Sequence, residues 1–149
     1  MNSNEQALCA VRTQVQFELA QTGAEVAQAA ALSVRTQRRV TDLTQRCESA
    51  ARELRGALAQ SRINPALLVA MRRLYQLECQ ALHDSQVRLA TAQQREQQAR
   101  TALADARNRE RSLDRALQAE RRKQQLKQQA LEMIRADDMW LQHAWREVS

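Results

Sequence analysis

Few side chains in this sequence have types that do chemistry, and they are scattered. They are the cysteines Cys9, Cys47 and Cys79, the histidines His83 and His143, and the adjacent carboxylates Asp137 and Asp138. The cysteines are odd in number and widely spaced, with no Cys-x-x-Cys pair. That spacing argues against a disulfide framework or a zinc site and suits small apolar fillers in a reducing compartment. On a straight helix the two histidines would stand ~90 Å apart at ~1.5 Å per residue, so each reads as a surface residue. Adjacent residues on a helix point in different directions, which makes Asp137 and Asp138 a charged patch and not an acid/base pair. There is no glycine-rich phosphate loop, no Gly-x-Ser-x-Gly and no His-Glu-x-x-His. The expectation is a chain that is not an enzyme and uses no cofactor or metal.

The elements that carry these residues follow from composition. The chain has 149 residues, 3% aromatic, with 2 Gly and 1 Pro. Ala, Gln, Arg and Leu dominate, and all four are strong helix formers. The apolar fraction of 44% is padded by alanine, which buries little area per residue. A compact core needs more large side chains than this, whereas a thin seam between two helices needs fewer. One break stands out, at Ser61, Arg62, Ile63, Asn64 and Pro65. Pro65 forces Asn64 into an extended conformation and suits the first turn of a new helix, with Asn64 as N-cap. Gly56 is positioned to loosen the end of the helix before it. The pattern predicts an all-α fold: one helical hairpin with a first helix over about residues 4–60, a turn near 61–65, and a second helix over 65–147. A two-helix arrangement of this kind lacks the concave pocket that catalysis usually needs.

Steps of three and four from Leu68 keep one register along the second helix. They reach Met71, Tyr75, Glu78, Leu82, Ser85, Leu89, Ala92, Glu96, Ala99, Leu103, Ala106, Glu110, Leu113, Leu117, Glu120, Gln124, Lys127, Leu131, Ile134, Asp138, Leu141, Trp145 and Val148. Most are apolar, and an unslipping seven-residue repeat predicts a left-handed antiparallel coiled coil. The first helix has a good seam at Val40, Leu43, Cys47, Ala50, Leu54 and Ala57. Its first half is weaker, at Leu8, Val15, Leu19, Val26 and Ala29, with Thr22, Ser33 and Thr36 at other seam positions. At ~1.5 Å per residue the helices would measure roughly 85 and roughly 120 Å. Pairing from Ile63 would therefore leave about twenty residues of the second helix unpaired.

The net charge is +6 and the pI about 10.2. Arg and Glu are interleaved along the helices, as on solvated faces laced with i,i+4 pairs. The scarcity of aromatics along the shaft disfavours nucleic-acid binding by base stacking. Residues 1–10 carry no signal peptide pattern, and the longest apolar stretch, near residues 66–71, is too short to span a bilayer. No membrane insertion is expected, and the chain should stay in the compartment where it is made. Two patches remain. The turn and its flank hold Arg62, Ile63, Leu67, Leu68, Val69, Met71, Leu74 and Tyr75, which form either a docking knob or a plug closing the turn. The other end holds the basic cluster Arg121, Arg122 and Lys123, followed by Trp140, His143 and Trp145. An unpaired face of Leu131, Ile134, Leu141, Trp145 and Val148 would mark a binding site.

A hairpin of this length with one central turn, an apolar tip and a Gln-rich long second helix resembles the FliJ/YscO family. These are the stalk proteins of flagellar and virulence type III secretion (protein transport) systems, and the Arg- and Gln-rich texture is closest to members from plant-pathogen-type systems. The resemblance covers nearly the whole chain and is one of architecture. It implies a cytoplasmic stalk, similar to the paired-helix part of the rotary ATP synthase γ subunit and peripheral to the inner membrane through the export apparatus. It implies two partners, the export ATPase ring and the membrane export gate protein, with secretion chaperones a further class. By the resemblance, Ile63, Leu67, Met71 and Tyr75 fall at the gate-facing tip. Val11, Val15, Arg121, Arg122, Trp140 and Trp145 fall at the ring-facing end. The alternatives are a generic coiled-coil scaffold or tether, a chaperone-escort protein and, less favoured, a nucleic-acid binder.

Overall fold

A computed structural model describes residues 1–149. It contains two helices and no strand: α1, Ser3–Leu58, and α2, Pro65–Val148. The chain is an all-α helical hairpin. Its contacts divide it into two units. One comprises Met1–Ala20 with Asp105–Ser149, the other Gln21–Ala104.

In the unit of Gln21–Ala104, the turn is built as the proline demands. Asn64 Oδ1 accepts from the backbone N–H of Ala66 at 3.1 Å and of Leu67 at 3.4 Å. Asn64 is thus the N-cap of α2, and Pro65 opens its first turn, where a missing N–H is harmless. Helix α1 runs through Gly56 and ends at Leu58, two residues earlier than the spacing predicts. Gly56 keeps a negative φ, so it does not serve as a left-handed cap. The last turn instead tightens, with Gln60 N–H donating to the Ala57 carbonyl at 3.4 Å.

The seam of this unit runs from Thr22 to Ala57 on α1 and from Leu68 to Leu103 on α2. Every position on both three-four stripes is buried or half-buried. Leu43 is the one large side chain that is fully buried, and Cys47, Ala50 and Ala92 continue the core beside it. Ser33 and Ser85 are also buried in the seam, and the Ser33 hydroxyl has no hydrogen-bond partner. An unpaired buried hydroxyl weakens a seam by about 1–3 kcal/mol. Apart from Glu78 and Glu96, which lie on the α2 stripe, charged residues stand outside it, and several pair locally. Arg46 and Arg39 flank Asp42 at 3.3 and 4.0 Å, and Arg100 meets Glu96 at 2.6 Å. Such exposed i,i+3 and i,i+4 pairs contribute little each, about 0.3–0.5 kcal/mol.

Gly23 lies half-buried at the edge of this seam, and a Cβ added there would meet no atom within 4 Å. Glycine in a helix interior is less stable than alanine by about 0.5–1 kcal/mol. Gly23→Ala is therefore expected to stabilise the chain by about that amount, read as a higher midpoint in urea unfolding with unchanged slope.

In the unit of Met1–Ala20 and Asp105–Ser149, contacts between the helices descend one helix as they climb the other. Glu18 pairs with Arg109 at 3.4 Å, Arg12 with Asp114 at 3.0 Å, and Glu5 with Arg121 at 3.0 Å. That order is the signature of antiparallel packing. The core here is Val15, Ala106 and Leu117. The α2 stripe from Ala106 to Gln124 is buried or half-buried throughout.

Candidate functional site

The tip, within the unit of Gln21–Ala104, sorts into two faces. Leu68, Met71 and Tyr75 occupy consecutive seam positions and are half-buried. Arg62, Ile63, Leu67 and Leu74 are exposed, with Leu67 at 54% and Leu74 at 48%, and Val69 and Leu77 add to them. The division follows from helical spacing: α1 covers one stripe of α2, and residues offset from that stripe stay outside it. A shallow groove at this end is lined by Leu54, Leu58, Leu68, Arg72, Tyr75 and Gln76. The tip thus offers aliphatic side chains beside arginines, with no convergent polar groups.

Slightly farther from the turn, Cys47 of α1 meets Cys79 of α2, Sγ to Sγ at 3.2 Å, and both are free thiols. Burial, followed by the neighbouring Cys79, pushes the Cys47 thiol up to about 11. The Tyr75 hydroxyl is also raised, first by its hydrogen bond to Cys79. Cysteine spacing signals this meeting only when it is combined with the turn, because Ile63 lies midway between the two.

In the other unit, the first turn of α1 is fastened to α2 by polar groups. Asn2 is the N-cap: its Oδ1 accepts from the Glu5 N–H at 2.7 Å. Its Nδ2 donates to Glu120 Oε1 at 2.8 Å, and Gln124 Nε2 donates to the same oxygen at 3.2 Å. Glu5, buried at the seam, receives Arg121 Nε at 3.0 Å. Arg12 Nε is shielded from solvent and approaches Asp114 as an ionic contact without hydrogen-bonding geometry. The Asn2 and Gln124 amides hold the Glu120 carboxyl below its ordinary 4.5. A depressed carboxylate contributes stability that is present above pH 4.5 and is lost as pH falls through its lower folded value. Below pH 4.5 the Asn2 end of α1 is therefore expected to fray, and Glu120→Gln to remove that part of the acid dependence. Amide hydrogen exchange at residues 3–8, followed from pH 6 to 3 with correction for intrinsic rates, measures it.

Beyond Gln124 the environment of α2 changes. Residues 125–149 are exposed apart from half-buried Ala144, while the helix continues to Val148. The seam register continues too: Lys127, Leu131, Ile134, Asp138, Leu141, Trp145 and Val148 keep the three-four spacing with nothing packed on them. Trp140 is 70% exposed and Trp145 76%. Leu141, Ala144, Trp145 and Val148 line an almost wholly apolar hollow at the end of this face. At its start, Arg122, Lys123 and Lys127 surround Leu126 in a basic groove.

The residues expected to face a partner at this end are thus not equivalent. Trp140, Trp145, Arg122 and Lys123 are open to solvent, and Val11 is 46% exposed. Arg121 is exposed but engaged with Glu5. Val15 is 6% exposed and belongs to the interhelical core. Sequence reasoning missed Glu5 and Arg12, because charged residues at seam positions look like gaps in an apolar stripe.

His83 and His143 are both exposed. No three His, Cys, Asp or Glu side chains gather as a metal site would require, and no helix is long and apolar enough to cross a membrane. What the chain presents are two exposed apolar surfaces, one at the tip and one along the last turns of α2. No family model matches the chain, and no curated protein or solved structure matches it either.

Proposed function

We propose that this chain is a non-enzymatic stalk component of a type III secretion apparatus, coupling an export ATPase ring to the membrane export gate. The observation that carries the reading is the free face of α2 beyond Gln124, where Leu131, Ile134, Leu141 and Trp145 continue the coiled-coil register uncovered. A face in register with a helical seam is shaped to take another helix. Arg122, Lys123 and Lys127 beside it suit an acidic collar by charge complementarity, which steers encounter more than it tightens binding. At the tip, Ile63, Leu67 and Leu74 offer the second contact, toward the export gate. A helical hairpin suits this work because backbone hydrogen bonds along each helix resist bending.

The test is ATP turnover by the cognate export ATPase with and without this protein, together with co-purification of the two. Stimulation with co-purification supports the reading; absence of both overturns it. A second reading, a coiled-coil tether, draws on the same free face, since two copies can cover each other's Leu131 and Trp145. Light scattering on the isolated chain separates the two: a monomer favours the stalk, a dimer lost on changing that face favours the tether.

A further inference from the structure

We propose that Cys47 and Cys79 form a thiol–disulfide exchange site, at which a small oxidised disulfide of the glutathione class closes an interhelical bond that staples the tip of the hairpin. The inference stands apart from the stalk reading and rests on geometry within the unit of Gln21–Ala104. The two sulfurs come from opposite helices, 32 residues apart in sequence, and already touch at 3.2 Å. A disulfide requires ~2.05 Å, so an approach of about 1 Å completes it. Cys9, the remaining cysteine, belongs to the other unit.

The arrangement assigns different roles to the two thiols. Cys79 flanks the seam and is half-buried, while Cys47 lies within it and is 8% exposed. The thiolate is the nucleophile in such exchange, and burial disfavours it at Cys47. Cys79 therefore reacts first. It gives up its proton, its thiolate attacks one sulfur of the small disulfide, that S–S bond breaks, and one small thiolate leaves. Cys47 then loses its proton and attacks Cys79 Sγ, and the second small thiolate leaves. Two protein thiols lose two electrons, and the small disulfide gains them as two thiols.

The product closes residues 48–78, including the turn, into a loop. Cross-linking a loop of this size restricts the unfolded chain and raises the melting temperature, by an amount on the order of 10 °C for a chain of this length. The experiment titrates the full chain, carrying Cys9→Ser, with glutathione disulfide against glutathione. Expected are joint loss of both thiols, a mass decrease of two hydrogens without adduct, a monomer on non-reducing electrophoresis, a higher melting temperature, and reversal by reductant. With Cys47→Ser, one glutathionyl adduct should accumulate on Cys79. With Cys79→Ser, reaction should slow more than tenfold. A persistent adduct on the intact pair, intermolecular dimers, an unchanged or lower melting temperature, or equal reactivity of Cys79→Ser overturns the proposal. Peptide mapping of the oxidised chain with all three cysteines retained tests the same bond without a variant: a Cys47–Cys79 cross-linked peptide supports the proposal, and its absence overturns it.

Discussion

Leu43→Ala is expected to destabilise the hairpin by about 3 kcal/mol, within the ~2–5 kcal/mol range for a buried leucine truncated to alanine. Leu43 is 1% exposed and is the only large side chain wholly removed from water. Along α1 its seam neighbours are Val40, Cys47 and Ala50, all smaller than leucine. Small neighbours cannot extend into the space a truncation leaves, so the loss combines the transfer term with a cavity term. A thin seam has no second layer to collapse inward. The comparison is Leu141→Ala, where the side chain is already open to solvent and the expected change is under about 0.5 kcal/mol. Urea unfolding of both variants decides it. A loss of less than about 1 kcal/mol at Leu43, below the range for a buried leucine, would mean that the helices do not pack through this stripe.

The seam was legible because its physics is periodic. Leu68, Leu82, Leu89, Leu103, Leu113 and Leu117 are large, apolar and spaced by sevens or by threes and fours, so the buried stripe of α2 can be traced from spacing alone as far as Gln124. The turn was legible because Pro65 and Asn64 act through local backbone sterics and one side-chain hydrogen bond. The end of α1 was less so: no left-handed cap marks it, and the helix stops at Leu58 by tightening its last turn. Glu5 and Arg12 were invisible as seam residues because their burial is supported by partners on the other helix, Arg121 and Asp114. Such partners are known only once the register is known. The same holds for Cys47 and Cys79: Ile63 lies midway between them, so an antiparallel fold about the turn sets them opposite. Composition treats them as isolated fillers. Val15 was assigned to a docking surface although its own seam spacing already placed it in the core.

Replacing Leu131, Ile134, Leu141 and Trp145 together with glutamine is expected to weaken binding of the export ATPase at least about 100-fold while leaving the melting temperature unchanged. The four side chains share the face that continues the seam register, and all are about half or more exposed in the free chain. Glutamine keeps helix propensity near that of leucine, so the helix itself should persist. Because these groups bury nothing in the hairpin, folding loses little. Because aromatic and aliphatic anchors at the centre of an interface each contribute about 1–2 kcal/mol or more, binding loses much; such losses are not additive, which is why the expectation is a bound. A matched variant at the tip, Leu67→Gln with Leu74→Gln, changes exposed side chains of the other unit and should spare ATPase binding while weakening the export gate contact. Titration calorimetry with the ATPase, beside thermal melts of each variant, separates the possibilities. A fourfold variant that melts much earlier shows that the face is covered within the chain. One that binds the ATPase as tightly as before removes the surface on which the stalk assignment depends.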